Sequence, residues 1–257
     1  MKMLGVWSCP AGIDTVHLQE NVVGRMATWI ERTRNGRLPA SLAWQSFRWK
    51  LWPGIRYGLA TLGSSMADLD TVLQRQQFEV LPLLGINRNI RRRWRTIPHT
   101  FGGAGLFDLQ VEQTIGWINI FLQHYGLDST LARKFRASLE ALQLELGCCG
   151  CPLDVNFTRF GHLATPCWMK SFWERLSHYN FVLQVKYPSL TPPREGDSTI
   201  ISLLSQAGYT GKHLRQLNRC RLFFKAIFQS DLTSANGRCF LAADPDTYSS
   251  MPSRHAP

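Results

Sequence analysis

Apolar residues return along this chain at intervals of three and four, and nowhere in sustained alternation. That spacing lays a stripe along one side of an α-helix, whereas a half-buried strand needs every second residue. The expected fold is therefore mainly α, a helical bundle followed by a second helical region. Ile13–Arg34 carries Ile13, Val16, Val23, Ala27 and Ile30 near one face, and Asn35-Gly36 stops it. Leu38–Leu62 is rich in aromatics, with Trp44, Phe47, Trp49, Trp52 and Tyr57, and Pro53-Gly54 should kink or split it. Ser65 with Asp68 three residues on resembles a capping box, predicting a helix through Phe78–Leu81.

The second half continues the pattern. Asp108 predicts the cap of a helix to about Tyr125, with Ile115, Ile118, Phe121 and Leu122 as its apolar stripe. Asp128-Ser129 opens another to Leu146, closed by Gly147. Thr165-Pro166 reads as a cap followed by proline at the first helical position, for a helix over Cys167–Tyr179. Phe181–Tyr187 reads as extended, and Pro188 with Pro192-Pro193 makes the best linker candidate. Helices are expected over Thr199–Ala207 and Lys212–Gln229, and a disordered tail from Asp244. These signals divide the chain into regions 1–100, 101–187 and 188–243, with the tail 244–257.

Charge enters as a statement about partners. The 257 residues carry 29 Lys and Arg against 18 Asp and Glu, a formal +11. Residues 1–100 account for +8 of it and residues 101–257 for +3. Arginine outnumbers lysine 22 to 7, and its planar fork suits bidentate phosphate contact. No apolar run nears the ~20 residues of a membrane span. The longest, Val80–Ile86, is broken by Pro82, so no membrane partner is expected. The apolar patch after Lys2 is too short for a signal-peptide core, which needs about 7–15 residues. Seven cysteines without framework spacing fit a reduced setting. The expected location is intracellular, nuclear or cytoplasmic, and not secreted.

The densest basic segment is Asn87-Arg88-Asn89-Ile90-Arg91-Arg92-Arg93-Trp94-Arg95. Phosphate neutralisation with counterion release favours such a cluster on nucleic acid, and Trp94 can stack on a base or support an arginine plane. A solvated surface run, or a targeting signal, has the same composition. Arg48, Lys50 and Arg56 are neighbouring bases in the same region. Lys212, Arg215 and Arg219 repeat the theme on one face of the last helix. Cys148, Cys151, His162 and Cys167 have the ligand types of a zinc knuckle, but buried thiols share that pattern, and no cofactor is expected. Gly102-Gly103-Ala104-Gly105 lacks the Gly-Lys-Ser/Thr of a phosphate loop and reads as a backbone turn. Asp68 and Asp70, two apart, point to different sides of a helix, and no set of convergent carboxylates can be assembled for two-metal chemistry. No catalytic residue is assigned.

In order along the chain these segments resemble the region after the catalytic palm in reverse transcriptases of non-LTR (LINE-type) retrotransposons. The likeness rests on Leu4-Gly5-Val6 with Pro10-Ala11-Gly12, and on the helix ending at Trp29–Arg34. It continues through Ile55-Arg56-Tyr57-Gly58-Leu59-Ala60-Thr61-Leu62 and Leu81-Pro82-Leu83-Leu84-Gly85-Ile86-Asn87-Arg88. Trp94-Arg95-Thr96-Ile97-Pro98 with Gly102-Gly103-Ala104-Gly105-Leu106 follows, and the helical region through Gln123-His124-Tyr125 and on to Gln143-Leu144-Glu145-Leu146-Gly147 is similar to large retroelement reading frames. The likeness covers most of the chain, residues 4–240, and Ala11 stands where the family has Asp. The resemblance implies a thumb-like helical region at 1–100 and a helical post-thumb region after it. The palm of that family, with its Tyr-x-Asp-Asp turn, would lie upstream, and this chain has no such turn. The implied role is that of a non-catalytic fragment of an RNA-directed DNA polymerase, gripping RNA or an RNA–DNA hybrid by its backbone. A helical protein-interaction module and a decayed frame without selected function are the alternatives.

Overall fold

The computed structural model describes residues 2–3, 6–7, 19–63 and 65–234, the side chains of 2, 3, 6, 7, 19, 21 and 73–77 excepted. The start of the first expected helix, Leu4-Gly5, Pro10-Ala11-Gly12 and the tail lie outside the described residues. The fold is mainly helical, in two compact units, residues 1–123 and 124–257. Residues 101–123 thus pack with the first unit, where the sequence reading placed a division at 100. Eleven helices are described: α1 Arg25–Asn35, α2 Ala40–Ser46, α3 Trp52–Leu59, α4 Met66–Leu83, α5 Arg92–Thr96, α6 Leu109–Tyr125, α7 Thr130–Leu146, α8 Phe157–Phe160, α9 Trp168–His178, α10 Ile200–Gln206 and α11 Gly211–Phe223. Lys2–Met3 and Val6–Trp7 pair antiparallel.

In unit 1 the core is built from α1, α3 and α4, with Trp29, Ile30, Phe47, Leu51, Trp52, Ile55, Leu59, Leu69 and Leu81 buried together. The Leu38–Leu62 segment does split, but not at Pro53. The break is a π-helical turn over Phe47–Leu51, and Pro53 sits in the first turn of α3, where a missing N–H costs little. The capping box of α4 is present. Ser65 Oγ accepts from Asp68 N at 3.1 Å, and Asp68 Oδ2 accepts from Ser65 N at 3.2 Å. Asp108 Oδ1 accepts from Gln110 N at 2.9 Å ahead of α6. The buried stripe of α6 is rotated from expectation. Gln113, Thr114, Trp117 and Phe121 are buried, whereas Ile115 and Leu122 are exposed. Gln113 explains the rotation, because its Nε2 donates to Leu59 O and Leu62 O, both at 2.9 Å. Those carbonyls lie at and just beyond the end of α3, where the helical ladder runs out and Leu59 O receives only a 3.3 Å bond from Leu62 N.

In unit 2, Ser129 Oγ accepts from Ala132 N at 3.1 Å and opens α7, and Gly147, at φ 63°, ends it. The guanidinium of Arg221 on α11 then closes the open end of α7. It donates to Leu144 O and, at 3.0 Å, to Glu145 O, while Asn218 Nδ2 donates to Glu145 O at 2.9 Å. The cap of α9 is Cys167, not Thr165. Cys167 Sγ accepts from Lys170 N at 3.4 Å, and Thr165 is bonded instead to the Glu145 carboxylate. The last expected helix stops at Phe223, since Lys225 adopts φ 53°, and Ile227 and Phe228 leave its apolar face to run beside Ser198–Ile200. The proline-rich candidate linker is tied down within this unit, with Leu190 N donating to Cys149 O at 2.8 Å and Tyr187 OH donating to Gln143 Oε1 at 3.0 Å.

Candidate nucleic-acid interface

After α4 the chain turns at Gly85, whose φ of 75° glycine adopts at no steric cost, and enters the basic segment. Two residues anchor that segment. Ile90 packs against the core of unit 1, and Arg95 is only 9% exposed. Arg95 Nε donates to Ile90 O at 3.2 Å and its Nη2 to Arg88 O at 3.5 Å, with the guanidinium 5.9 Å from the Phe78 ring. The run of arginines is therefore folded around one of its own members.

The glycine turn braces the other side. Ala104 N donates to Trp94 O and Leu106 N to Arg95 O, both at 2.8 Å. A Cβ on Gly103 would stand 2.1 Å from Ile97 O, so only glycine permits this approach. The turn is a packed backbone element, as its sequence reads.

The remaining candidates divide by partner. Arg92 is paired with Asp70, which also accepts from Gln110 Nε2 at 2.7 Å, so this arginine ties α5 to α4 and α6. Arg56 Nε lies 3.2 Å from Glu112 Oε2. Arg48 sits 5.4 Å from the Trp44 ring, which meets His99 edge-on at 5.6 Å. The His99 ring in turn lies against Gly105, so a run of contacts joins Arg48 to the turn beside Trp94. Lys50 lines a separate cleft with Arg25 and Arg32. Arg88, Arg91 and Arg93 are exposed and make no side-chain ion pair among the described residues. Trp94 is 44% exposed.

Two exposed aromatics escaped the sequence reading as site residues, Phe101 at 75% and Trp49 at 82%. The signal for Trp49 was present, since it stands between Arg48 and Lys50. On α11 of unit 2, Lys212, Arg215 and Arg219 are exposed as their spacing implies.

The four zinc-type residues are not gathered. Cys167 caps a helix, and Cys148 Sγ donates to Gly150 O at 3.6 Å. Burial pushes the Cys148 thiol up to about 12 and raises that of Cys151. His162 Nε2 is buried without a hydrogen-bond partner. Among the described residues no group of three or more His, Cys, Asp or Glu could hold a metal ion, and no helix is long and apolar enough to cross a membrane. No family model, curated protein or solved structure matches the chain.

Proposed function

We propose that the chain binds nucleic acid through its first unit, as a non-catalytic, thumb-like fragment of a non-LTR retroelement reverse transcriptase that grips an RNA or RNA–DNA backbone without reading sequence. The observation that carries this reading is the trio Arg88, Arg91 and Arg93. These three exposed arginines have no carboxylate partner among the described residues and project from a segment that Arg95 and Ile90 hold in one conformation. Surface cations without an ion pair turn toward phosphate freely, whereas Arg92 and Arg56 must first leave Asp70 and Glu112. Trp94 adds an apolar face for a base or sugar.

The test is an anisotropy titration with an RNA–DNA hybrid across several salt concentrations, comparing the parent protein with the R88A/R91A/R93A variant. Removing one phosphate-binding arginine should lower the slope of log affinity against log salt by about 0.7–0.9, so the triple variant should lose about 2–3 units. An unchanged slope sinks the proposal. A second reading, a protein-interaction module, draws on exposed Trp49 and Tyr57. It requires self-association, or association with a protein, that survives high salt in size-exclusion chromatography.

A further inference from the structure

A cleft of about 560 Å³ opens in unit 1 between α1 and the stretch from Ser46 to Gly54. Helical spacing builds both walls. Arg25, Thr28 and Arg32 follow at three and four residues along α1, while Ser46, Lys50 and Gly54 follow at four on the opposite side. Trp29, Leu38 and Leu51 supply apolar surface between them. Trp29 is locked in place, its Nε1 donating to Ser46 Oγ at 3.0 Å and its ring meeting Phe47 edge-on at 5.8 Å. Arg25 is fixed by donating to Gly54 O at 2.6 Å, and a Cβ at position 54 would come within 3.0 Å of that guanidinium.

Charge decides what such a cleft would take. Arg25, Arg32 and Lys50 stand against Glu20, the one carboxylate of the described lining. Arg32 and Lys50 are exposed, and their side chains have no ion pair or hydrogen bond among the described residues. The volume falls in the range of small-molecule sites, about 300–1,000 Å³, which are mostly apolar with a few placed polar groups. A bare inorganic anion would leave the exposed Leu38 side chain and the open edges of Trp29 and Leu51 wet, and a neutral apolar molecule would leave two cations unused. Both are satisfied together by a phosphate monoester that carries an apolar ring.

We propose that this cleft binds an organic phosphate of nucleoside monophosphate size. Arg32 and Lys50 hold the phosphate at the solvent edge, and the ring lies over Leu38 and Leu51 beside Trp29. The site is separate from Arg88–Arg95 and does not depend on hybrid binding. Lys50, read from the sequence as a backbone contact, lines this cleft.

The experiment is calorimetric or ligand-observed NMR titration of the full chain with 5′-AMP, adenosine and inorganic phosphate. Saturable binding of AMP, with adenosine and phosphate each weaker, is the expected result. The R32A/K50A variant should weaken AMP by about tenfold or more, as expected for losing hydrogen bonds to a charged group. Thr28→Trp, which fills the cleft without removing a cation, should weaken it as well. Circular dichroism should show both variants folded, since all three positions are exposed. The proposal fails if AMP does not bind, if adenosine or phosphate alone binds equally well, or if both variants bind as the parent does. Loss of AMP binding in R88A/R91A/R93A would also overturn it, because binding would then belong to the basic segment.

Discussion

Three arginines of the 88–95 run, Arg88, Arg91 and Arg93, and the arginine at 221 sit in opposite surroundings. Arg88, Arg91 and Arg93 stand in solvent on unit 1 without a carboxylate partner among the described residues. Arg221 is 3% exposed in unit 2 and directs its donors into the fold. Its Nε donates to Asn218 Oδ1 and its Nη1 to Ala226 O, both at 2.8 Å, and its Nη2 reaches the end of α7. Burial pushes that guanidinium down to about 10, which leaves it charged at neutral pH. A positive group at the C-terminus of a helix is favourably placed against the helix dipole and satisfies carbonyls that have no helical partner. Formal charge therefore says little until burial is known. The division by structure makes the same point, because residues 1–123 carry +6 and residues 124–257 carry +5. The steep contrast between +8 and +3 fades once Asp108 and Glu112 are counted with the unit they pack in.

The comparison can be broken by removing arginines one environment at a time. The largest effect should come from Arg221→Ala, which strands the carbonyls of Leu144 and Ala226 and leaves Glu145 O to Asn218 alone. Chemical denaturation of the second unit should show a loss of about 3 kcal/mol or more. A loss below ~1 kcal/mol would mean that water replaces the guanidinium and that its burial is incidental. Next comes Arg95→Ala, the buried member of the exposed run. Releasing Ile90 O and Arg88 O should cost the first unit about 1–2 kcal/mol. It should also weaken hybrid binding indirectly, by loosening Arg88–Arg93. Arg95→Lys should restore little, because an ammonium cannot fork between two carbonyls.

Ser65→Ala serves as a calibration outside any arginine, since it removes one half of the α4 capping box. Denaturation should register about 1 kcal/mol, with hybrid binding unchanged. The smallest stability effect belongs to R88A/R91A/R93A, within ~0.5 kcal/mol of the parent, because these side chains are exposed and have no ion pair among the described residues. A melting curve that falls by more than this would assign the trio a structural role and dissolve the contrast with Arg221.

Much of the fold was legible because it depends on local chemistry. Ser65, Asp108, Ser129 and Thr199 begin helices as short polar side chains do, by accepting from backbone N–H groups one turn on. Gly147 ends α7 through a left-handed conformation that costs glycine nothing. Other elements were decided from a distance. No local rule separates Thr165 from Cys167 as the cap of α9; the Glu145 carboxylate, twenty residues earlier, claims Thr165. The buried face of α6 follows Gln113, whose partners Leu59 O and Leu62 O lie more than fifty residues away.

The candidate site divides along the same line. Composition alone identifies Arg88–Arg95 as the densest positive charge in the chain, and helical spacing alone places Lys212, Arg215 and Arg219 in solvent. Which arginines of the run remain free was settled by tertiary packing. Asp70, itself held by Gln110, takes up Arg92, Ile90 O and Phe78 take up Arg95, and Arg88, Arg91 and Arg93 are left over. The cleft beside Trp29 had no signature in the sequence, because its two walls come from different helical segments and its charge appears only when they face each other. Periodicity and caps act over one helical turn, so sequence determines where helices form. Partners of buried polar groups lie tens of residues apart, so only the folded chain decides which charges are structural and which are left for a ligand.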